Sequence, residues 1–445
     1  MKVTLVFPCI RNSGGWNSLG KHQENCYINH GLPSIAASLE HSGHEVKLLD
    51  LREMSGWKEV EEWIQHDDSN VYGINMPTLD YHEAKQVATI IKRVSPECNI
   101  YVGGPHPSIV PDVVAKDEVF DYIVVGEGEI TFPDMIENPS KYPRITIAVH
   151  PDLDKLPYEK REIFNIEKVL HTHHSIYPQP FLTVISGRGC LYNCSFCKPG
   201  EDLIFGKFRM RNIDHFFGEI EMLNNKYKFA MLMIDDDSFT LKPDYIMEFC
   251  DRYEKIGKPF VCQSRADFIC RNADILKRMK EVGLWMLSIG FEVGNQRMLT
   301  LLRKGTTVEQ NYEAARICHK MGIKMWANIM FGSPTETKQE MLATLKMIKA
   351  IKPFILSPAF FTPIVGTDLY DYCDKNNLIA DKDPAVLGRR AQQIEKPLKG
   401  VDYDWINRQL YGRTGLLRKK ARTWLGKTFP WIKDMRSKCH GLRRK

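Results

Sequence analysis

The stretch Gly187-Arg-Gly-Cys-Leu-Tyr-Asn-Cys-Ser-Phe-Cys-Lys-Pro-Gly200 decides how this chain is read. It sets cysteines at 190, 194 and 197, a C-x3-C-x2-C spacing, directly after the apolar run Phe181-Leu-Thr-Val-Ile-Ser186, which reads as a strand. Three thiolates this close together can bind zinc or an iron–sulfur cluster. A structural zinc site closes with four protein ligands. No fourth ligand, whether Cys262 or a histidine, is signalled locally. A four-iron cluster held by Cys190, Cys194 and Cys197 keeps one iron open, and the amino and carboxylate groups of a small molecule can chelate an open iron.

Downstream, further strands end in polar residues. Phe229-Ala-Met-Leu-Met-Ile-Asp-Asp-Asp runs into Asp235, Asp236 and Asp237. Consecutive carboxylates on a strand point in different directions, which argues against one shared divalent ion. Pro259-Phe-Val-Cys-Gln-Ser ends at Arg265, and Leu287-Ser-Ile-Gly-Phe ends at Glu292. A helix over about 308–321 precedes Lys324-Met-Trp-Ala-Asn-Ile-Met-Phe-Gly332, and a sixth strand is expected at Phe354-Ile-Leu-Ser-Pro-Ala-Phe-Phe.

Upstream, strands alternate with helices. Strands are expected at 3–7, 45–50, 71–75, 100–104 and from Tyr122, with helices opening at Pro33 and covering 57–66 and 81–94. This order predicts a parallel sheet covered on both faces. Small and polar residues follow the strands at Ser13-Gly14-Gly15, Pro77-Thr78, Gly103-Gly104-Pro105-His106 and Gly126-Glu127-Gly128-Glu129. Such loops share the carboxyl edge of a parallel sheet, where ligands bind, and glycine lets backbone approach a phosphate or a ring closely. They fit a nucleotide-like or corrin-like ligand, or ordinary tight turns. No G-x-G-x-x-G follows the first strand, which weakens a dinucleotide reading. Residues 138–175 are irregular and proline-rich, and His171, His173 and His174 there read as a solvated loop.

A chain of 445 residues exceeds one hydrophobic core. Four regions are expected: 1–145, a Rossmann-like domain; 146–177, a linker; 178–372, a series of strand–helix units; and 373–445, a small, mainly helical, basic region. The 12 cysteines are too sparse for a disulfide scaffold and fit a reducing cytoplasm. No apolar run reaches the length of a membrane span, and the N-terminus reads as a strand rather than a signal peptide. The net charge of +6 is a C-terminal feature, since residues 1–412 carry 49 basic and 54 acidic residues. Nucleic acid is therefore not an expected partner of the body of the chain. The segment from Leu416 mixes cations with Trp424, Phe429 and Trp431, a composition suited to a solvated tail or to an anionic membrane surface.

Cys190, Cys194 and Cys197 after the first strand of a strand–helix series resemble the radical S-adenosylmethionine (SAM) superfamily. The resemblance implies a partial barrel in which a [4Fe-4S] cluster holds SAM and, on reduction by an external one-electron donor, cleaves it to a 5′-deoxyadenosyl radical. It further implies that Phe196 lines the adenine side, that Asp236 or Asp237 reaches the SAM amino group, and that Arg265 pairs with the SAM carboxylate or a pocket acid. Glu292 is then placed by the ribose hydroxyls, with Asn328 and Gly332 on the adenine side. The segments Pro33-Ser-Ile-Ala-Ala-Ser-Leu, Gly43-His-Glu-Val, Val102-Gly-Gly-Pro-His106 and Val125-Gly-Glu-Gly-Glu129 resemble the cobalamin-binding domain that precedes many such barrels.

The combination implies methyl transfer to an unactivated carbon or a phosphorus centre of a small or lipid-like substrate, through the radical and methylcobalamin. Ring closure or rearrangement without net methylation is the alternative. A tRNA methylthiotransferase is a weaker one, because Cys9, Cys26 and Cys98 do not match the pattern of its second cluster. The first domain also lacks an Asp-x-His-x-x-Gly segment, the pattern that supplies a histidine to cobalt in several cobalamin proteins. His82 and His106 are isolated candidates. Either a bound cobalamin has no protein histidine ligand or the domain has lost cobalamin.

Overall fold

The structure, a computed structural model, describes residues 1–11, 13–383 and 396–412. Its first sheet is built from β1 (Lys2–Phe7), β2 (Glu45–Asp50), β3 (Val71–Asn75), β4 (Asn99–Gly103), β5 (Tyr122–Val125) and β6 (Ile145–Ile147), in the order β2-β1-β3-β4-β5-β6. Every pairing in it is parallel, with Val3 opposite Val46 on one side of β1 and Val71 on the other. The strands form where apolar runs are cut off by Pro8, the Met76-Pro77 step and glycine exits. Helices Gly31–His41, Trp57–Gln65 and Tyr81–Val94 bury their apolar stripes on the sheet. One core packs on each face: Ile64, Val87 and Ile100 on one, Leu5, Leu39 and Phe132 on the other.

The second sheet is also parallel. It begins with β7 (Phe181–Val184), after which a short antiparallel ribbon, β8 (Gly187–Arg188) with β9 (Arg209–Met210), brackets the cysteine loop. The remaining strands are β10 (Met231–Ile234), β11 (Phe260–Ser264), β12 (Leu284–Glu292), β13 (Lys324–Phe331) and β14 (Ile355–Phe360), in the order β14-β13-β12-β11-β10-β7. Six strand–helix units in sequential order make a partial barrel, as the family resemblance implied. Capping boxes at Thr307 with Gln310 and at Thr337 with Glu340 start the helices after β12 and β13. The register slips between Gly290 and Glu292, where Glu292 takes a positive φ of 57°.

Strand β6 lies in the stretch read as irregular. It is three residues long, on a sheet edge, with Ile147 exposed. Helices Asp368–Lys375 and Tyr403–Tyr411 follow the barrel, and Tyr403, Ile406 and Leu410 pack into its core. The expected membrane-facing segment from Leu416 lies outside the described residues. Among the described residues no helix is long and apolar enough to cross a membrane.

Candidate functional site

The cysteine loop is gripped at both ends. At its start, Ser186 N donates to Asp236 Oδ1 at 2.6 Å and Gly187 N at 3.3 Å, while the Ser186 hydroxyl bonds Asp236 Oδ2. Further on, the Cys194 carbonyl accepts from Cys197 N at 3.0 Å and Lys198 N at 2.9 Å, which turns the loop back on itself. Ser195 ties it to the segment after β12, donating from its amide to Leu302 O at 3.0 Å and from its hydroxyl to Leu301 O at 2.9 Å. The Arg265 guanidinium stacks on the Tyr192 ring at 3.4 Å, within the cysteine triplet, and its Nε donates to Asp267 at 3.0 Å.

All three thiols are free. Cys194 is buried, Cys190 half-buried and Cys197 exposed. Burial pushes the Cys190 thiol up, and it also feels Cys194. Lys304 is buried beside them. Its Nζ lies 2.8 Å from Glu292 Oε1 and 5.9 Å from the centre of the Phe196 ring, and burial, which opposes its charge, is outweighed by Glu292 and Cys194. A buried cation beside coupled thiols suits thiolate ligands and a net-negative cluster. Among the described residues no three His, Cys, Asp or Glu side chains converge on a single metal-ion position. A cubane does not ask for that, because each thiolate binds a different iron.

The carboxyl edges of the two sheets face each other across one cavity with an empty volume of about 1290 Å³, counting the part open to solvent. From the first sheet come Asn75, Gly103, Gly104, Gly126, Glu127 and Gly128, and from the second Gly187, Arg188, Gly189, Asp235, Asp236 and Asp237. A deeper apolar slot is walled by Leu5, Ile35, Gly73, Tyr101 and Phe132. A Cβ on Gly73 would stand 2.9 Å from Leu5 and close the slot, and one on Gly104 (φ 100°) would stand 2.5 Å from Asn75 Oδ1.

The expected ligand residues divide accordingly. Gly103, Gly104, Gly126, Glu127, Gly128, Asp236 and Asp237 wall the cavity. Asp237 opens into it, with its pKa raised by desolvation and by the neighbouring Glu201 carboxyl. Ser13, Gly14, Gly15, Pro77, Thr78 and His106 are not on its wall. The Ser13 hydroxyl donates to Cys9 O at 2.5 Å, and Gly15 N to Ile10 O at 2.9 Å, so that loop folds on itself. Thr78 Oγ1 lies 3.2 Å from His106 Nδ1, and burial holds His106 down to about 4, neutral in the ordinary range. Asn328 Nδ2 donates to Ser288 Oγ at 3.0 Å, and Gly332 N to Glu336 at 2.7 Å, and a Cβ on Gly332 would stand 3.0 Å from Val401. Phe196 packs with Val293, Phe361 and Leu369.

Sequence reading missed the contact between the sheets. Arg188, two residues before Cys190, reaches Glu127 Oε1 at 2.6 Å and Glu129 Oε1 at 2.7 Å. Glu127 also bonds His150 Nδ1 at 2.7 Å and Arg209, while Ser34 donates to Glu129 at 2.8 Å. Both acids of Gly-Glu-Gly-Glu are thus occupied in a buried clasp. Tyr192 and Lys304 were also missed, because only their neighbours in space give them a role.

Two family models match the chain: the B12 binding domain over residues 19–136 and the radical SAM superfamily over residues 184–348. The chain is a radical SAM protein with a B12-binding domain. Its cofactors are a [4Fe-4S] cluster, SAM and cobalamin. It is 27% identical over 359 residues to an uncharacterised methyltransferase of Pyrococcus horikoshii, covering 77% of this chain and 78% of that one. It is 26% identical over 368 residues to the anaerobic magnesium-protoporphyrin IX monomethyl ester cyclase of a Synechocystis strain, covering 78% and 73%. In fold it resembles the cobalamin-dependent SAM radical enzyme OxsB, solved with aqua-cobalamin and SAM bound. The TM-score is 0.72, with 16% identity over 87% of this chain and 64% of that one.

In this radical SAM protein the Asp236 carboxyl carries a pH signature. Burial pushes it up to about 6, against the hydrogen bonds from Ser186 and Gly187. The unfolded chain therefore releases this proton at lower pH than the folded one, and stability falls as pH rises through the window from about 4 to about 6. The fall is on the order of 3 kcal/mol. Asp236→Asn is expected to flatten this segment of the stability curve, measured by urea midpoints across pH. An unchanged slope would show that Asp236 is not protonated in the folded state.

Proposed function

We propose that the protein is a cobalamin-dependent radical SAM methyltransferase acting on an unactivated carbon or phosphorus centre of a small or lipid-like molecule. One observation carries this reading: the glycine loops of the B12 domain and the strand ends beside the cysteine loop wall the same cavity. When bound, the cluster and SAM supply a 5′-deoxyadenosyl radical, and cobalamin supplies a methyl group. The chain's own part is to hold both against one substrate and to keep bulk water away. In this reading Cys190, Cys194 and Cys197 bind the cluster. Asp237, Arg265, Glu292, Asn328, Gly332 and Phe196 surround SAM, and the strand-end loops at Gly103-Gly104 and Gly126-Glu127-Gly128 carry cobalamin. Asp236 acts by fixing the start of the cysteine loop. We assign residues 1–145 to the cobalamin-binding domain and 178–372 to the radical SAM barrel, with 146–177 as the linker between them and 373–445 as a separate C-terminal region. A cytoplasmic setting, an external one-electron reductant and peripheral membrane contact through the C-terminal segment belong to the same reading.

Ring closure without net methylation is the second reading, favoured by the similarity to the cyclase. A methylthiotransferase is disfavoured, since Cys98, Cys26 and Cys9 belong to three separate apolar clusters. The test is anaerobic reconstitution with iron, sulfide and hydroxocobalamin, followed by reductant and methyl-deuterated SAM. Cobalamin uptake and a deuterated methyl group in product are expected. SAM cleavage without cobalamin uptake sinks the proposal, and turnover that leaves the label out of product selects ring closure.

A further inference from the structure

We propose that the amino-terminal rim of the barrel, at the end of the strands opposite the cavity, is a docking surface for an anionic lipid bilayer. A row of lysines carries it. Lys228, Lys258, Lys280 and Lys352 stand two to four residues ahead of β10, β11, β12 and β14, and Lys324 is the first residue of β13. These strands are parallel and adjacent in the sheet, so their starts share one edge. Neighbouring strands lie about 4.8 Å apart, which spreads the row over roughly 20 Å.

The row lacks counter-charge. Among the described residues none of the five lysines forms an ion pair within 4.0 Å. Lys258 Nζ donates instead to the uncharged Asn224 Oδ1 at 2.7 Å. The nearby acids Glu254 and Glu281 are taken up by Arg278, at 3.0 Å and 3.9 Å. Burial holds the Lys258 and Lys324 amino groups below their ordinary range, and Lys280 adds to this at Lys324. Residues 413–445 are themselves strongly basic and bring little negative charge. The other end of the barrel is of opposite sign, since its strands run out into Asp235, Asp236, Asp237 and Glu292.

Aromatic rings are set among the cations. Lys324 Nζ lies 3.7 Å from the centre of the Trp285 ring and 4.6 Å from that of Phe354, and Lys258 Nζ lies 4.7 Å from that of Phe229. Phe354 meets Trp285 edge-on at 5.7 Å and is still 49% exposed. Ammonium groups beside exposed rings suit a headgroup layer, where the cations meet lipid phosphates and carboxylates and the rings reach the acyl boundary. Every cation of the row is a lysine. Nucleic-acid recognition favours the arginine fork, and protein interfaces are depleted in lysine. Docking here leaves the chemistry accessible. The eight residues of β13 set the rim roughly 25 Å from the carboxyl edge.

The test is flotation of the full chain with vesicles of phosphatidylcholine, with and without phosphatidylserine. Binding is expected only where phosphatidylserine is present. Lys228→Gln with Lys352→Gln is expected to weaken it about 25-fold, near fivefold for each lysine withdrawn from the anionic surface. Both side chains are exposed, so this variant is expected to melt with the wild type. Lys116→Gln with Lys141→Gln removes the same charge from exposed positions of the first domain and is expected to leave binding unchanged. Phe354→Ser is expected to weaken the part of the binding that survives high salt, where charge is screened. Equal losses in the two lysine pairs overturn the inference. So does undiminished binding by the rim pair, which would place the contact in residues 413–445. A chain that ignores the vesicles, whether or not it binds an acidic polypeptide or RNA, overturns it as well.

Discussion

Cys194→Ala is expected to abolish 5′-deoxyadenosine formation, with loss of the cluster's visible absorption and of most of the bound iron after reconstitution. Cys194 is the middle thiol. It is the one fully buried, it influences both Cys190 and Cys197, and Lys304 is charged partly on its account. Removing it leaves two thiolates, too few to hold a cubane, and leaves Glu292 as the main partner of Lys304. The fold is expected to survive, because trimming one buried sulfur costs about 1 kcal/mol. Apo-protein melting measured beside product formation separates the two effects. Retained 5′-deoxyadenosine production would remove the triplet from the cluster assignment.

Arg188→Ala is expected to lower stability by about 3–5 kcal/mol, the usual cost of stranding one partner of a buried ion pair. Glu127 keeps His150 and Arg209, so the loss falls on Glu129, which keeps only Ser34 among these side chains. The pH dependence should reverse sign. Burial raises the Glu129 carboxyl, and Arg188 with Ser34 more than offsets this, so its pKa sits below the ordinary value. In the native protein Glu129 therefore contributes stability above the unfolded pKa, and that contribution is lost as pH falls through the folded one. Without Arg188 burial dominates, the folded pKa rises above the unfolded one, and stability is lost as pH climbs. Adding Glu129→Gln should restore much of the stability and flatten the curve. Calorimetric melting of the three proteins between pH 4 and 8 checks this, and equal slopes in wild type and Arg188→Ala would refute the clasp.

The strands around the site were legible because apolar runs stop at glycine, proline or acidic residues, and those stops are the ligand edge. Periodicity could not show β6, which is too short to display one and lies among prolines. Nor could it separate Asp236, turned back onto Ser186, from Asp237, which opens into the cavity: neighbours on a strand end differ only in direction. Glu127 was legible as a cavity residue but not as the centre of an ion-pair cluster, because Arg188 and Arg209 lie 61 and 82 positions away.

The clasp also governs how such a chain can change over generations. An exchange at Arg188 strands Glu129, and exchanges at both Glu127 and Glu129 strand Arg188, so these positions are bound to vary as a set. Grafting a relative's B12 domain onto this barrel would then fail at the seam unless residues 127, 129, 188 and 209 travelled with it.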